Sequence, residues 1–322
     1  MIQLCYNFYT QQKKKVLNMA NKCAFCNNNC HFLFNLNGYS IFQCEFCKTS
    51  FVENMPSIEE LKNYYSGFKF QICESNKDLI CSEGFKRWFE SYNLPREAKM
   101  LDLGGGGGFF SYAFEKFGFG KATYVDLDNE ACDYARKLNI SKVVNDDVKN
   151  IKNNSDEKYD FIYCRHVIEH LVNPTDIIST AIDLLSENGV FILQFPNGTS
   201  IERHSEKAYF EKRLSQISQS NGYSRFQSAL SIFSDKTSYG LDPINHLWAI
   251  SPKGLKSFLN QKENIKFKIK TASITDKIYS PYFPKDERTI SAFITKIKRF
   301  IFKRLGGGAH LVCEISKKEC EK

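Results

Sequence analysis

Four cysteines carry the most legible chemistry in the chain. Cys23 and Cys26 form one CxxC pair, Cys44 and Cys47 a second, and seventeen residues separate the pairs. Zinc takes four ligands in a tetrahedron, and each CxxC turn presents two thiolates to one side of the ion. The spacing therefore predicts a four-thiolate zinc ribbon. A site with no open coordination position is structural, not catalytic. Cys30 and His31 are rival ligands, but either would break the pairing. A second constellation is His166, Glu169 and His170, which would share one helical face at i, i+3 and i+4. A His or Glu there could take a proton from a nucleophile. His246, in the run DPINHLW, is a separate candidate of the same kind, with Trp248 as a pocket wall; both could instead be anchors of the surrounding loop.

A third signal is Asp102-x-Gly104-x-Gly106-x-Gly108. Glycines permit a tight turn and close approach of backbone to a ligand, and a following helix offers free N–H groups. Such a loop is informative only between a strand and a helix. Here Lys99–Leu103 reads as the strand and Phe109–Phe117 as the helix. The next strand, Ala122–Val125, ends at Asp126, 24 residues after Asp102, where an acidic side chain can accept both hydroxyls of a ribose. Asp128 is its neighbouring alternative.

Strands and helices alternate around these residues. Lys142–Val144 leads to Asp146 and Asp147, Tyr159–Cys164 to Arg165–Leu171, and a helix over Pro174–Ser186 stops at Gly189 before the strand Val190–Phe195. Alternation of this kind predicts a doubly wound α/β sheet, with ligands beyond the C-terminal strand ends. At the N-terminal side, His31–Phe42 suits a hairpin that returns the second cysteine pair to the first. Phe51–Tyr65 reads as a short helix, capped by a Ser57–Glu60 box, and Phe68–Asn93 as helical. The last strands are Ile265–Ile274 and His310–Ile315.

These motifs resemble the class I S-adenosylmethionine-dependent methyltransferases. The likeness rests on LDLGGGGGFF (Leu101–Phe110), YVDLD (Tyr124–Asp128), NDDV (Asn145–Val148), YDFIYCRHVIEHL (Tyr159–Leu171) and NGVFILQFPN (Asn188–Asn197). The four-cysteine module, EELKNYY and DPINHLWAISPKGLKSFL (Asp242–Leu259) look like the members associated with sugar and polysaccharide pathways. The resemblance implies a Rossmann-like seven-stranded methyltransferase sheet with a small N-terminal zinc ribbon and an inserted lid. The implied bounds are 1–22 for an extension, 23–55 for the ribbon, 56–95 for a helical linker, 96–198 and 242–322 for the methyltransferase domain, and 199–241 for the lid. It implies S-adenosylmethionine as cofactor, with Gly104, Gly106 and Gly108 along its methionine part, Asp102 supporting the loop and Arg165 also in contact. Asp126 would take the ribose, and Asp147 or Asp146 would face the adenine.

The expected activity is methyl transfer to a hydroxyl or amine of a sugar, nucleotide-sugar or glycan. His166 would be the base. Glu169 and His170 could instead bind a divalent metal, as in some quinone-type methyltransferases, or be structural, with His170 bonded to a backbone group. An RNA methyltransferase gripping nucleic acid through its ribbon is the runner-up. It is disfavoured because the base-amine run Asn/Asp-Pro-Pro-aromatic is replaced by CRHV. A non-catalytic cofactor-binding protein is the third reading, and the intact loop argues against it.

The bulk properties agree with an enzyme. Of 322 residues, 42% are hydrophobic, and the net charge of +8 permits an anionic partner without requiring one. Twelve cysteines with one metal-type spacing suit a reducing compartment, hence the cytoplasm. No run reaches the roughly 18 apolar residues of a membrane-spanning helix. Residues 1–19 put their lysines after the apolar part, the reverse of a secretory signal; the alternative is that translation starts at Met19 and the preceding stretch is a poorly ordered extension. Residues 292–305 have apolar positions at helical spacing with lysines and arginines between. That face suits docking on the sheet or on a second subunit, or contact with phosphates or a membrane surface.

Overall fold

In the computed structural model the described residues are 22–57, 59–60, 74–146, 157–234, 240–274, 276, 278, 297, 300–302 and 304–318. The expected extension and Asp147 lie outside them. The first elements are strands β1 (Cys30–Leu36), β2 (Tyr39–Cys44) and β3 (Ser50–Val52). β1 and β2 form the expected hairpin, turned by Asn37 (φ 50) and Gly38 (φ 84). An Asn-Gly pair with both φ positive is the turn that matches the twist of a two-stranded ribbon. After β3 the Ser57–Glu60 box forms both its bonds: Ser57 Oγ accepts from Glu60 N at 3.1 Å, and Glu60 Oε2 accepts from Ser57 N at 2.7 Å.

Helices α1 (Glu74–Ile80) and α2 (Glu83–Glu90) precede the sheet. Then come β4 (Ala98–Leu103), α3 (Phe109–Lys116), β5 (Gly120–Val125), α4 (Asn129–Lys137), β6 (Lys142–Val144) and β7 (Tyr159–Arg165). A 3-10 turn over Ile168–His170 leads to α5 (Pro174–Leu184) and β8 (Leu185–Pro196). The strand begins five residues before the expected Val190 because Leu185 already pairs with Tyr159, across a register shift in β7. Helices α6 (Ile201–His204), α7 (Lys207–Asn221) and α8 (Arg225–Ser234) fill the expected insertion. β9 (Trp248–Ala249), α9 (Pro252–Leu259), β10 (Ile265–Ala272) and β11 (His310–Lys317) complete the chain.

Seven strands make the Rossmann-like sheet, in the order β10-β11-β8-β7-β4-β5-β6, with β11 antiparallel to both its neighbours. The chain winds outward from β4 in one direction and from β7 in the other, so the crevice between the C-terminal ends of β4 and β7 is the switch point. One face is covered by an aromatic-rich cluster that includes Phe85, Trp88, Phe89, Phe114 and Phe161. The other cluster runs from Leu101, Ile162 and Leu193 continuously into Phe25, Phe34 and Phe51 of the N-terminal strands.

That continuity has a backbone counterpart. β9 joins β1-β2-β3 as a fourth strand through Phe51↔Trp248 and Ser50↔Ala249. Trp248 was expected to line an acceptor pocket or anchor the insertion. It does neither. Its ring stacks on Phe51 at 5.1 Å, meets Phe25 at 5.8 Å, and donates from Nε1 to the Leu171 carbonyl at 2.9 Å. A Trp buried on a sheet gains more from those rings than from a wet pocket. Residues 292–305 are largely outside the described set, but Phe300 and Leu305 are 57% and 71% exposed, so these side chains do not dock on the sheet.

Candidate active site

The glycine loop leaves β4 with Gly104, Gly106 and Gly108 at φ 63, 52 and 69, a region that costs any residue with a Cβ. At Gly105 the constraint is space, since a Cβ there would lie 2.5 Å from the Tyr124 ring. The loop is held on the end of β5. The amides of Gly104 and Gly105 donate to the Val125 carbonyl, and Tyr124 OH donates to the Gly106 carbonyl at 2.7 Å. Beneath it Asp102, 3% exposed, accepts from Ser111 Oγ at 2.7 Å, and burial pushes its carboxyl up to about 6.

Asp126 sits where the ribose was expected. Its carboxylate accepts from the amides of Gly106 (3.0 Å) and Asp128 (2.9 Å). Burial, the largest cause, pushes its pKa up against those bonds. No cationic side chain pairs with it among the described residues. A carboxylate has about four acceptor positions, so room remains for two hydroxyls, and the residues fit the cofactor. Asp128 is committed elsewhere, as the N-cap of α4. Asp146 follows β6 at a bend. The Arg165 guanidinium lies 5.6 Å over the Phe110 ring, beside the loop.

Beyond β7 the chain turns at His166, whose φ is 52. A non-glycine residue held there stores strain of about 1–3 kcal/mol, a feature that clusters at functional sites. The next turn is 3-10, not the α-helix the sequence suggested. His166 lies before that turn, and the positive φ at His166 brings its ring back to Glu169: Nδ1 lies 3.1 Å from Glu169 Oε1. A carboxylate can only accept, so Nδ1 carries the proton and Nε2 the lone pair. Glu169 is 1% exposed and its Oε2 has no hydrogen-bond partner.

His170 makes the backbone bond that one expectation gave it, with Nδ1 2.7 Å from the Asn245 carbonyl oxygen. His246 Nδ1 is held 2.6 Å from the Gly240 carbonyl, and the two rings are 4.6 Å apart. Glu169, His170 and His246 each offer a ligand atom within 4.8 Å of the others, so they could hold a divalent cation. Sequence reasoning missed His310. Its ring, 5.2 Å from that of His166, has neither nitrogen hydrogen-bonded although the residue is 5% exposed. The available signal was its place as first residue of a strand that starts at the ligand edge, opposite Pro196 at the C-terminal end of β8.

The four cysteines converge as their spacing requires. Sγ of Cys23 lies 3.6 Å from that of Cys47, and Cys26 Sγ lies 3.4 Å from Cys44 Sγ. Tetrahedral zinc with 2.3 Å bonds would set such edges at about 3.8 Å, so the donor set fits the metal. Cys30 and His31 are not in the group.

These burials set a pH response. His166, His170 and His310 are all pushed down, burial being the largest cause in each. Their contribution to stability is present above the unfolded value of about 6.5 and is lost as pH falls through the lower folded values, at up to ~1.4 kcal/mol per pH unit for each. Asp102 acts oppositely: raised from 3.8, its contribution is complete at low pH and is lost as pH rises through about 6. Burial depresses His204 as well and raises Asp126, so four imidazoles stand against two carboxylates, and the thermal midpoint falls on acidification below pH 6.5. His310→Gln makes that fall shallower; an unchanged slope would show that His310 does not contribute.

Comparison with known proteins places residues 75–246 in the family described as "Methyltransferase domain". A ubiquinone biosynthesis O-methyltransferase of Actinobacillus pleuropneumoniae serotype 7 (strain AP76) is 36% identical over 110 residues, covering 31% of this chain and 47% of the relative. That of Pasteurella multocida (strain Pm70) is 30% identical over 115 residues, with 31% and 47% covered. The chain thus spans about half the length of the curated relatives it matches. Among solved structures, the plantazolicin methyltransferase BpumL in complex with SAH aligns with TM-score 0.47 and 18% identity over 81% of this chain and 94% of that one. An S-adenosylmethionine-dependent methyltransferase from Archaeoglobus fulgidus aligns at 0.44 and 17%, over 82% and 100%.

Proposed function

The chain belongs to the S-adenosylmethionine-dependent methyltransferase family, and from that premise we propose transfer of the methyl group to a hydroxyl or amine of a sugar, nucleotide-sugar or glycan. The observation that carries the reaction is the Glu169–His166 pair, strained and partly buried, at the switch point next to the glycine loop. When bound, S-adenosylmethionine supplies an electrophilic methyl on a sulfonium. Gly104, Gly106 and Gly108 would leave room for its methionine part, Asp126 would accept from its ribose, and Arg165 would flank it. His166 Nε2 takes the acceptor proton as the oxygen or nitrogen attacks. Glu169 holds the ring in the required tautomer and stabilises the imidazolium that forms. Positioning does the rest, since in-line displacement depends on holding the nucleophile close.

A sugar acceptor is supported by the sequence likeness of the cysteine module and of Asp242–Leu259. The relatives' names point to a different hydroxyl compound, in ubiquinone biosynthesis. Both readings share a hydroxyl nucleophile. We assign α6–α8 the role of a lid over the acceptor, the Cys23–Cys47 group a structural zinc, and the cytoplasm as location. No helix among the described residues is long and apolar enough to cross a membrane. A second reading concerns Glu169, His170 and His246: with both Nδ1 atoms on backbone carbonyls, they have the outer-sphere support that metal-binding histidines use. A bound divalent cation would orient the acceptor beside His166.

The test is isothermal titration with S-adenosylmethionine, S-adenosylhomocysteine and NAD. The first two bind in the micromolar range. Asp126→Ala weakens them about 100-fold, from two charge-assisted hydrogen bonds at ~1.5 kcal/mol each. Binding of NAD alone would sink the assignment of the loop.

A further inference from the structure

We propose that Arg213 on α7 is the seat for an anionic group, a phosphate or a carboxylate, carried by the acceptor. This rests on the reading of α6–α8 as the acceptor's cover. Arg213 is 4% exposed, deeper than a surface helix requires. Its Nη2 donates to the Leu241 carbonyl at 2.6 Å and to Tyr209 OH at 3.1 Å, and its guanidinium lies over the Tyr209 ring. Nε and Nη1 have no hydrogen-bond partner, and no carboxylate pairs with the residue among those described. A guanidinium stays protonated at any physiological pH. A buried charge is ordinarily retained only when something pairs with it.

The acids closest in sequence are already committed, the nearest of them, Glu211, to Arg225 at 2.7 Å. Glu206 pairs with Arg203 at 2.6 Å. Glu202, itself 1% exposed, accepts from Ser273 Oγ, Ile274 N and Ala309 N, tying α6 to the ends of β10 and β11. His204 adds no negative charge: its Nδ1 is on the Ser200 carbonyl, its ring packs 5.7 Å from that of Tyr209, and burial followed by the charge of Arg213 depresses its pKa.

Arg213 is also joined to the candidate active site through the backbone. Leu241, which it holds, follows Gly240, whose carbonyl fixes His246. A neutral sugar or phenol would leave the guanidinium as lonely as it is now. An oxyanion on the acceptor would take the Nε and Nη1 protons while its hydroxyl lay toward His166. Sugar phosphates, nucleotide-sugars and uronic acids have that combination; an unmodified neutral glycan does not.

The full chain saturated with S-adenosylhomocysteine is titrated calorimetrically with pyrophosphate, glucuronate and glucose, and its thermal midpoint is recorded with each. One or both anions bind and raise the midpoint, and glucose does neither; whether pyrophosphate or glucuronate binds tells phosphate from carboxylate. In Arg213→Met anion binding weakens at least tenfold, while the midpoint without anion is equal to or above that of the parent chain. Arg213→Gln, which can keep the Leu241 bond, serves if the Met variant does not fold, with the same expected loss. The proposal is overturned if neither anion binds while S-adenosylhomocysteine does, or if the variants bind anions as tightly as the parent chain. Failure of S-adenosylhomocysteine itself to bind would overturn the enzyme assignment and this inference together.

Discussion

Cys47→Ser, or removal of metal by a chelator, unfolds the N-terminal module and frees Trp248 from its place on Phe51. In the proposed zinc site each thiolate is one of four ligands, and structural zinc is worth apparent values of about 10–16 kcal/mol in small modules at neutral pH. That matches or exceeds the whole stability of an ordinary domain, about 5–15 kcal/mol. Burial already pushes the Cys44 thiol up to about 11, so the apoprotein holds neutral thiols that attract one another weakly. The chain has two tryptophans, and Trp88 sits in the opposite cluster, on the far face of the sheet. In a Trp88→Phe background the emission of Trp248 therefore reports on the module alone. Chelation shifts that emission to the red, and metal analysis of the untreated protein gives one zinc per chain. A Trp248 spectrum indifferent to chelation would refute the zinc assignment.

The second large effect is catalytic. With an acceptor that turns over, His166→Ala lowers kcat by about 10²–10⁴-fold, the range for a positioned general base. Affinity for S-adenosylhomocysteine stays the same, because His166 lies past the loop and Asp126. Glu169→Gln keeps the shape but replaces the carboxylate that holds the Nδ1 proton, so kcat falls less and the acid limb of its pH profile moves to lower pH. Transfer of radiolabel from S-adenosylmethionine measures both. A His166→Ala rate within threefold of the parent would mean that positioning alone suffices. If kcat in the parent chain also vanishes on chelation and returns with a divalent cation other than zinc, the Glu169–His170–His246 cation reading gains the lead.

The glycine loop was legible because glycine at positive φ is a backbone requirement written in residue type. The cysteine pairs were legible because tetrahedral ligation fixes their spacing. Asp126 followed from its place at a strand end, and Asp128 could be separated from it only by seeing its side chain cap α4. Other features left no local trace. β9 is two residues long, too short for an alternating pattern, and its partner is some two hundred residues away. The helical face expected for His166, Glu169 and His170 was the wrong periodicity, although the His166–Glu169 pairing survives through the positive-φ turn at His166. His310 and Arg213 stand out only through what they lack, partners for both ring nitrogens of the one and for Nε and Nη1 of the other, and no sequence pattern encodes that.

The pairing of β3 with β9 also governs the order of assembly. The ribosome delivers Cys23–Cys47 early, but the strand that completes their sheet, and the Ser251 hydroxyl that donates to the Cys47 carbonyl, emerge some two hundred residues later. Until then Phe25 and Phe51 face water, where an apolar face invites association with other nascent chains. Early metal capture would hold the hairpin in shape as a template during that wait. Closure of so long a loop is a slow step, and it brings Leu247, whose amide donates to the Glu169 carbonyl, into register with the turn after β7. Completion of the amino-terminal sheet and registration of the turn after β7 thus depend on the same late pairing.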